Sequence, residues 1–187
     1  MEGAVNRMSA PDAPIELPGG IRQIGYVVDD VERAMRSWLA LGIGPWYVLR
    51  RRPQRARYRG MPCEVTVTIA FSHSGEVQLE LIQQHDETPS IFTEFLAGGA
   101  GGFHQLAWWP TDFDAALKTV TDGGYSVVWS GGEPGGVRFA YFEPPLPTAP
   151  IIELSEFTDS ARGLADMVRA AADDWNGSDP VRSLPGS

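Results

Sequence analysis

Two stretches of the chain carry the same pattern of apolar and polar positions. Each begins with alternating apolar residues and continues with apolar residues at helical spacing, the first from Arg22 and the second from His104. The stretches align without a gap, and the aligned pairs are Gln23 with Gln105, Gly25 with Ala107, Asp30 with Asp112, Ala34 with Ala116, Met35 with Leu117, and Gly42 with Gly124. The pattern therefore predicts two copies of one unit, each starting with a strand and a helix.

Residues suited to capping mark the ends of both predicted helices. Asp30 and Asp112 stand where an N-cap carboxylate accepts N–H groups of the first turn. Gly42 and Gly124 stand where a left-handed residue ends a helix. The strand-like runs after the helices are WYVLR, CEVTVTIAFS and VQLELIQ in the first copy and YSVVWS, VRFAYFE and PIIELSE in the second. Each copy therefore predicts a βαβββ module.

The rest of the chain is organised around the two modules. Residues 1–19 are rich in Pro, Ala and Gly and predict a flexible arm, and residues 176–187 predict a flexible tail. The first module with its linker occupies 20–99 and the second occupies 100–157. Residues 158–175 predict an amphipathic helix, which is either a lid on the sheet or a contact with a second chain. The predicted fold is α+β: two βαβββ modules forming a curved mixed sheet around a central cleft, plus a C-terminal helix.

Composition and charge restrict the class of function. The 187 residues carry a formal net charge of -9, so electrostatics does not favour binding to nucleic acid or to an anionic membrane. No apolar run is long enough to span a membrane, and the first residues lack the apolar core of a secretory signal. The single cysteine, Cys63, excludes an internal disulfide and is typical of a cytoplasmic protein.

Four polar residues fall on strand faces that would not pack against helices. Successive strand side chains point to opposite faces, and an amide or a carboxylate is costly to bury alone. The four residues are Gln23, Glu80, Gln105 and Glu153. Because they stand at repeat-related places, we expect them to converge on one polar cleft. Pleating should turn His104 to the face opposite Gln105.

Further residues are candidates for contact with a ligand. Gln78 and Trp109 alternate in phase with the four polar residues and are predicted to bind substrate. The arginine-rich run at 50–60 lies between two predicted strands and is either a solvated loop or a clamp for an anionic substrate. In the second case Arg50 and Arg52 would bind the substrate.

At this point the sequence resembles a known family. The segments QIGYVVDDVERAMRSW, QLELI, GFHQLAWW and IIEL, together with the repeat, resemble the vicinal oxygen chelate superfamily over about residues 21–156. This superfamily includes glyoxalase I, methylmalonyl-CoA epimerase, extradiol dioxygenases and bleomycin-resistance proteins. The resemblance implies one metal held by a residue from each of four strands, at the positions of Gln23, Glu80, Gln105 and Glu153. Gln105 departs from the family, which normally has histidine there.

The residue types at these positions exclude one activity of the superfamily. An extradiol dioxygenase needs two histidines and one carboxylate around iron. Gln23 and Gln105 stand where those histidines would be, so this activity is not expected. His73 lies in a predicted turn and His85 follows a strand, and both are expected to be exposed.

Two functions remain open. The resemblance implies a glyoxalase-like lyase or isomerase that moves a proton next to a carbonyl of a small organic substrate, with Glu153 or Glu80 as the base. A divalent ion (Mg, Mn, Zn or Ni) would assist this reaction, but a site without metal fits these residues equally well, since two carboxylates in one cleft raise each other's pKa. The alternative is a metal-free protein that binds and sequesters a small molecule. A homodimer is expected from the resemblance.

Overall fold

The order of strands and helices follows the internal repeat. The computed structural model describes residues 15–132, 136–145 and 149–184. The strands are β1 (Gln23–Val27), β2 (Trp46–Tyr58), β3 (Met61–Ser74), β4 (Val77–Gln84), β5 (Gly102–Trp108), β6 (Ser126–Gly131), β7 (Phe139–Glu143), β8 (Ile151–Ser155) and β9 (Val181–Ser183). The helices are α1 (Val31–Leu39), α2 (Ile91–Ala97), α3 (Phe113–Asp122) and α4 (Asp159–Asp173). Each half therefore has the predicted βαβββ order.

A mixed sheet joins the two modules. Across the described residues its strand order is β3-β4-β1-β5-β8-β7-β6-β2-β9, and β2 also pairs with β3, so the sheet closes on itself. The first strands of the modules, β1 and β5, are antiparallel neighbours. Each is flanked in parallel by the last strand of its own module, β4 beside β1 and β8 beside β5. The predicted curved mixed sheet is confirmed, and the four strands expected to carry the polar residues lie side by side.

Capping residues define the ends of the repeat helices, as predicted. Asp30 and Asp112 accept backbone N–H groups of the first turns of α1 and α3 at 2.9 and 3.0 Å. Gly42 and Gly124 follow the two helices with φ of 80° and 86°, in the left-handed region that favours glycine. These local signals therefore fix where each helix begins and where the chain turns back to the sheet.

Each repeat helix packs on the outer face of its own module. Met35 of α1 is buried in a cluster with Leu79 and Leu81 of β4. Val120 of α3 is buried in a cluster with Leu154 of β8. Removal of these side chains from water stabilises the helix–sheet packing. The opposite face of the same strands is thereby left to form the cleft.

A β-bulge interrupts the pairing of β1 with β5. Gly25 lies opposite Gln105 and Tyr26 lies opposite Phe103, so His104 is the additional residue of β5. His104 and Gln105 are consequently both buried, whereas Phe103 is 45% exposed. The prediction that His104 points away from Gln105 is wrong, because strict alternation of side chains does not continue through a bulge.

Helix α4 packs against the beginning of β2 and against β3. Val168 is completely buried in a cluster with Tyr47 and Leu184, and Leu164 packs at its border. The helix therefore covers the inner side of the sheet, which agrees with its interpretation as a lid. Its interpretation as a contact with a second chain stays a prediction.

The C-terminal segment contains a strand that the sequence did not predict. Val181–Ser183 form β9 and pair in parallel with Trp46–Val48 of β2. The prediction of a flexible tail over 176–187 is therefore wrong for these residues, since a run of three residues is too short to show a periodic pattern. Residues 185–187 lie outside the described residues.

The predicted N-terminal arm can be compared with the structure only at its end. Ile15 and Leu17 pack against the apolar cluster beneath α3. This end of the predicted arm, 1–19, therefore contacts the second module. Residues 1–14 lie outside the described residues, and flexibility there stays a prediction.

Replacing Leu184 with alanine should lower the free energy of unfolding by about 2 kcal/mol, because the side chain is buried between α4 and β2. The matched control is Val181→Ala, an exposed position of the adjoining strand, which should change it by less than about 0.5 kcal/mol. Urea denaturation of both variants measures the difference. Equal losses in the two variants would contradict the packing of this segment.

Candidate functional site

A cavity of about 330 Å³ lies on the face of the sheet opposite α1 and α3. Apolar side chains form most of its wall, among them Leu49, Ile69, Phe71, Ile82, Phe92 and Phe139. Helix α4 closes one side through Ala161, Leu164 and Ala165. The polar end is lined by Gln23, Gln78, Glu80, Tyr141 and Glu153. The cavity therefore combines apolar walls with a small group of polar side chains, which is typical of small-molecule sites.

The side chain of Gln105 connects the polar residues from behind. It is completely buried, and its Nε2 lies 3.1 Å from Glu80 Oε2, 3.3 Å from Glu153 Oε2 and 3.3 Å from the Tyr141 hydroxyl oxygen. Glu80 comes from β4 of the first module and Glu153 from β8 of the second. One amide nitrogen thus donates to carboxylates from both modules. We call Glu80 and Glu153 the acid pair.

Gly25 provides the space for this amide. Gly25 is the cross-strand partner of Glu80 on one side and of Gln105 on the other. A Cβ atom at Gly25 would lie 2.0 Å from Gln105 Nε2, far inside van der Waals contact. The Gln105 amide therefore lies directly over the Gly25 backbone, and glycine is required there by close approach.

His104 is the hydrogen-bond partner of the amide oxygen. Its Nδ1 lies 2.5 Å from Gln105 Oε1, and its ring packs among Phe92, Phe95 and Tyr141, with centroids 6.2, 4.9 and 6.0 Å away. Burial lowers the pKa of His104 to about 4, so the ring is neutral at physiological pH. Because an amide oxygen can only accept, the neutral ring carries its proton on Nδ1 and donates it to Gln105 Oε1. The Gln105 NH₂ group is then directed at the acid pair.

Both members of the acid pair hold protons more tightly than ordinary glutamates. Burial and the nearby charge of Glu153 raise the pKa of Glu80 well above its usual value. Burial raises the pKa of Glu153 to about 7, although hydrogen bonds from Gln105 and Tyr141 oppose this rise. Both carboxyl groups of the acid pair are thus shifted toward the protonated form. Two such groups side by side can exchange protons with a ligand.

The arrangement does not fit the metal site that the resemblance implies. A metal ligand must direct a lone pair at the cation, but Gln105 directs N–H groups at both glutamates. The Nε2 of Gln23 donates to Gln78 Oε1 at 2.8 Å. Within the described residues no group of three or more His, Cys, Asp or Glu side chains is placed to hold a metal ion. Metal binding at the four positions stays a prediction, and the observed donor set does not support it.

A chain of hydrogen bonds connects Gln78 with a buried histidine. Gln78 lines the cavity, accepts from Gln23 through Oε1 and donates through Nε2 to His73 Nε2 at 3.3 Å. His73 is 5% exposed, so its predicted exposure is wrong, because β3 continues through it to Ser74. His85 is half-buried, and its Nε2 lies 2.7 Å from the Thr68 hydroxyl.

Trp109 lines the cavity, as the sequence predicts. Its ring is stacked on Phe157, with centroids 5.1 Å apart and an angle of 25° between the planes. The guanidinium of Arg22 lies 5.3 Å from the Trp109 centroid. Trp109 and Phe157 thus form an aromatic border of the cavity, and contact of Trp109 with a substrate stays a prediction that this position supports.

The arginine-rich run is part of a strand. Arg50 and Arg52 belong to β2, so the interpretation of this run as a loop is wrong. Arg50 pairs with Glu32 of α1 at 2.6 Å, and neither Arg50 nor Arg52 lines the cavity. Arg59 pairs with Glu94 of α2 and with Glu143 of β7. The predicted role of Arg50 and Arg52 in substrate binding therefore lacks support from their positions.

Three residues of the site were not identified from the sequence. They are Gly25, His104 and Tyr141. The Gly25–Ala107 match in the repeat was the available signal for Gly25, since small residues in mid-strand allow close approach. Alternation in FAYFE places Tyr141 in phase with Phe139, which also lines the cavity. The role of His104 depends on the bulge, for which the sequence gives no signal.

Replacing Gly25 with alanine should destabilise the protein by about 1–3 kcal/mol, because the new methyl group overlaps the Gln105 amide. The matched control is Gly102→Ala on β5, where an added Cβ meets no atom within 4 Å. Urea denaturation compares the two variants. If Gly25→Ala were no more destabilising than Gly102→Ala, the amide would not lie over Gly25.

The stability of the protein should fall as the pH rises from about 4.3, the ordinary glutamate pKa, to about 7. In this range the folded state retains the Glu153 proton that the unfolded state releases, so raising the pH favours unfolding. The loss from Glu153 is on the order of 3 kcal/mol. Glu153→Gln should remove much of this slope, with Glu64→Gln as an exposed control. Thermal denaturation across the pH range measures it, and an unchanged slope in Glu153→Gln would refute the assignment.

Comparisons with known proteins agree with the fold. A hypothetical protein from Bacillus halodurans superposes with a TM-score of 0.55 at 19% identity, covering 75% of this chain and 95% of that chain. Methylmalonyl-CoA epimerase from Mycobacterium tuberculosis gives 0.53 at 20% identity, covering 77% and 91%. A variant of the Streptomyces coelicolor methylmalonyl-CoA epimerase in complex with 2-nitronate-propionyl-CoA gives 0.51 at 17% identity, covering 75% and 95%. At these identities the similarity shows the fold alone.

Comparison of the sequence with family profiles identifies the family of the chain. No curated protein matches the chain. Among the described residues there is no helix with the length and apolar character needed to cross a membrane. The profile of the Glyoxalase/Bleomycin resistance protein/Dioxygenase superfamily matches residues 22–141, well over half of the chain. The chain therefore belongs to this superfamily, as its repeat and its strand motifs indicated.

Proposed function

We propose that the chain is a glyoxalase-like isomerase or lyase that transfers a proton at a carbon next to a carbonyl of a small organic substrate. The observation that carries this proposal is the acid pair. Two glutamates from different modules share one amide donor at the polar end of an otherwise apolar cavity. General acid–base catalysis needs two such groups within reach of one ligand, one able to accept a proton and one able to donate.

Glu153 is the proposed base and Glu80 the proposed acid. The pKa of Glu153 is raised to about 7, where a carboxylate is both available and basic at physiological pH. Burial and the charge of Glu153 raise the pKa of Glu80 well above its usual value, and in its protonated form Glu80 donates a hydrogen bond to the substrate carbonyl. As Glu153 removes the neighbouring proton, that hydrogen bond stabilises the negative charge on the oxygen. Delivery of a proton to another atom, or to the opposite face of the same carbon, completes the isomerisation.

The cavity wall favours an uncharged, largely apolar substrate. The acidic residues that line it are Glu80, Glu153 and Glu156, and no lysine or arginine of the described part of the chain does so. An anionic group inside would therefore have no cationic side chain of the wall to pair with and would be poorly solvated. The aromatic border of Trp109 and Phe157 suits the apolar part of a carbonyl compound.

Metal-free binding is the second candidate, and a specific observation favours it. Gln105 and Tyr141 already donate hydrogen bonds to the acid pair, so the glutamates are stable without a reacting ligand. An apolar cavity closed by α4 would then sequester a small molecule without changing it. Homodimerisation and a cytoplasmic location, both expected from the sequence, stay predictions.

Exchange of carbon-bound hydrogen in D₂O tests the proposed reaction directly. Neutral ketones, aldehydes and thioesters with a hydrogen next to the carbonyl are incubated with the protein, and ¹H NMR follows their deuteration. We expect at least one compound to exchange faster with the wild type than without protein. Glu153→Gln should lower the rate by about 10²–10⁴-fold, because it removes the base.

The matched control for this experiment is Glu64→Gln, an exposed glutamate of β3 that does not line the cavity. It should exchange the substrate at the wild-type rate. A thermal-shift screen of the same compounds separates the two functions, since any ligand of the folded state raises its apparent stability. Ligands that stabilise the protein without any deuteration would support sequestration instead of catalysis.

A further inference from the structure

The position between the two glutamates is filled by part of the protein. The Nε2 of Gln105 lies 3.1 Å from Glu80 Oε2 and 3.3 Å from Glu153 Oε2, within hydrogen-bond distance of both carboxylates. We propose that the Gln105 amide takes the place of the metal in this chain, and that its N–H groups hold the acid pair where relatives with histidine at this position would use a cation. This proposal rests on the proposed proton transfer and adds how the acid pair is held.

An amide N–H group and a cation both stabilise nearby carboxylates electrostatically. Each directs positive charge at carboxylate oxygens, the amide through two N–H dipoles and the cation through its full charge. They exclude each other at one position, because an N–H group has no lone pair to offer a metal ion. The Gln105 side chain is completely buried and does not line the cavity, so it acts through the glutamates as a positioning residue.

The surroundings favour the orientation in which the amide nitrogen, and not the amide oxygen, faces the acid pair. In the observed orientation Oε1 accepts the Nδ1–H of His104 at 2.5 Å. After a half-turn, the NH₂ group would face His104 Nδ1, which could accept it only after the ring proton had moved to Nε2. The amide oxygen would then face the carboxylate of Glu153, and this contact is repulsive between buried groups. The ring of His104 is held by Phe92 and Phe95, so it does not follow such a turn.

Two backbone features allow the Gln105 side chain to take this position. The bulge in β5 places His104 and Gln105 in the same buried layer. The missing Cβ of Gly25 gives the amide its place over the sheet. A glutamine on a regular strand would have neither the donor partner His104 nor the space over Gly25, so the amide depends on both backbone features.

Binding of Co²⁺ to the wild type and to Gln105→His tests the proposal without any substrate. The proteins are stripped with chelator, titrated with Co²⁺ alone, and examined by visible absorption and by elemental analysis after dialysis. We expect the wild type to retain no stoichiometric Co²⁺. Gln105→His should gain one Co²⁺ per chain and its absorption bands, because an imidazole lone pair joins the two carboxylates. Glu80→Gln in the same chain should abolish that gain.

The matched control is Gln83→His, which adds a histidine on the same strand as Glu80. The Gln83 side chain is hydrogen-bonded to the backbone at the N-terminus of α1 instead of to the acid pair. It should bind no more Co²⁺ than the wild type. If Gln105→His does not fold, Gln105→Glu supplies a third carboxylate from the same position and should gain the metal instead. A folded variant that gains none would show that this is not a cation position and overturn the proposal.

Stoichiometric Co²⁺ in the wild type, lost in Glu80→Gln, would also overturn the proposal. The proposal would also be overturned if the wild type exchanged deuterium, lost this activity on chelation and regained it with a divalent ion. That result would still support the proposed proton transfer. Absence of exchange with every compound would instead count against the proposed function. The metal-binding result does not depend on activity, so the two failures are distinguishable.

Discussion

Burial of two carboxyl groups beside each other is the constraint on which the rest of the site depends. An unpaired buried carboxylate is costly, and two adjacent negative charges repel strongly in a cavity with apolar walls. Glu80 and Glu153 tolerate this position because their raised pKa values favour the uncharged, protonated form and because both accept N–H groups of Gln105. That donor in turn requires the bare backbone of Gly25 and the partner His104. A polar centre is therefore supported by three neighbours that never reach the ligand.

The closed sheet makes such a centre possible. Glu80 on β4 and Glu153 on β8 are separated by β1 and β5, and three strand spacings in a flat sheet correspond to about 14 Å. Their carboxylates share one donor because the sheet curves toward the cavity and because Gln105 reaches across from the intervening strand β5. Pairing of β2 with both β3 and β6 closes the sheet and maintains that curvature. Helix α4 then covers the apolar side, so curvature and lid together determine the cavity.

The sequence predicts features that depend on local or periodic signals. Caps such as Asp30, the βαβββ order and the convergence of Glu80 and Glu153 follow from spacing, since alternation and repeat symmetry apply along regular strands. The bulge at His104 breaks alternation without a marker in the sequence, so the burial of that histidine was missed. The strand at Val181–Ser183 depends on a long-range edge of β2 rather than on its own residues. Features that depend on pairing between distant strands therefore cannot be predicted from the periodic pattern of the sequence.

Repeat symmetry also explains why only one of the two equivalent glutamines serves the acid pair. Gln105 lies opposite Gly25, and Gln23 lies opposite Ala107, at corresponding places of the β1–β5 pair. Ala107 carries a methyl group at the place that corresponds to the bare backbone of Gly25, so the Gln23 amide does not have the same space over the sheet. It turns to Gln78 instead. A single methyl group, together with the bulge in one strand only, thus converts a symmetric set of four polar residues into an asymmetric site. That asymmetry gives the two glutamates different surroundings, which an acid and a base acting on one substrate require.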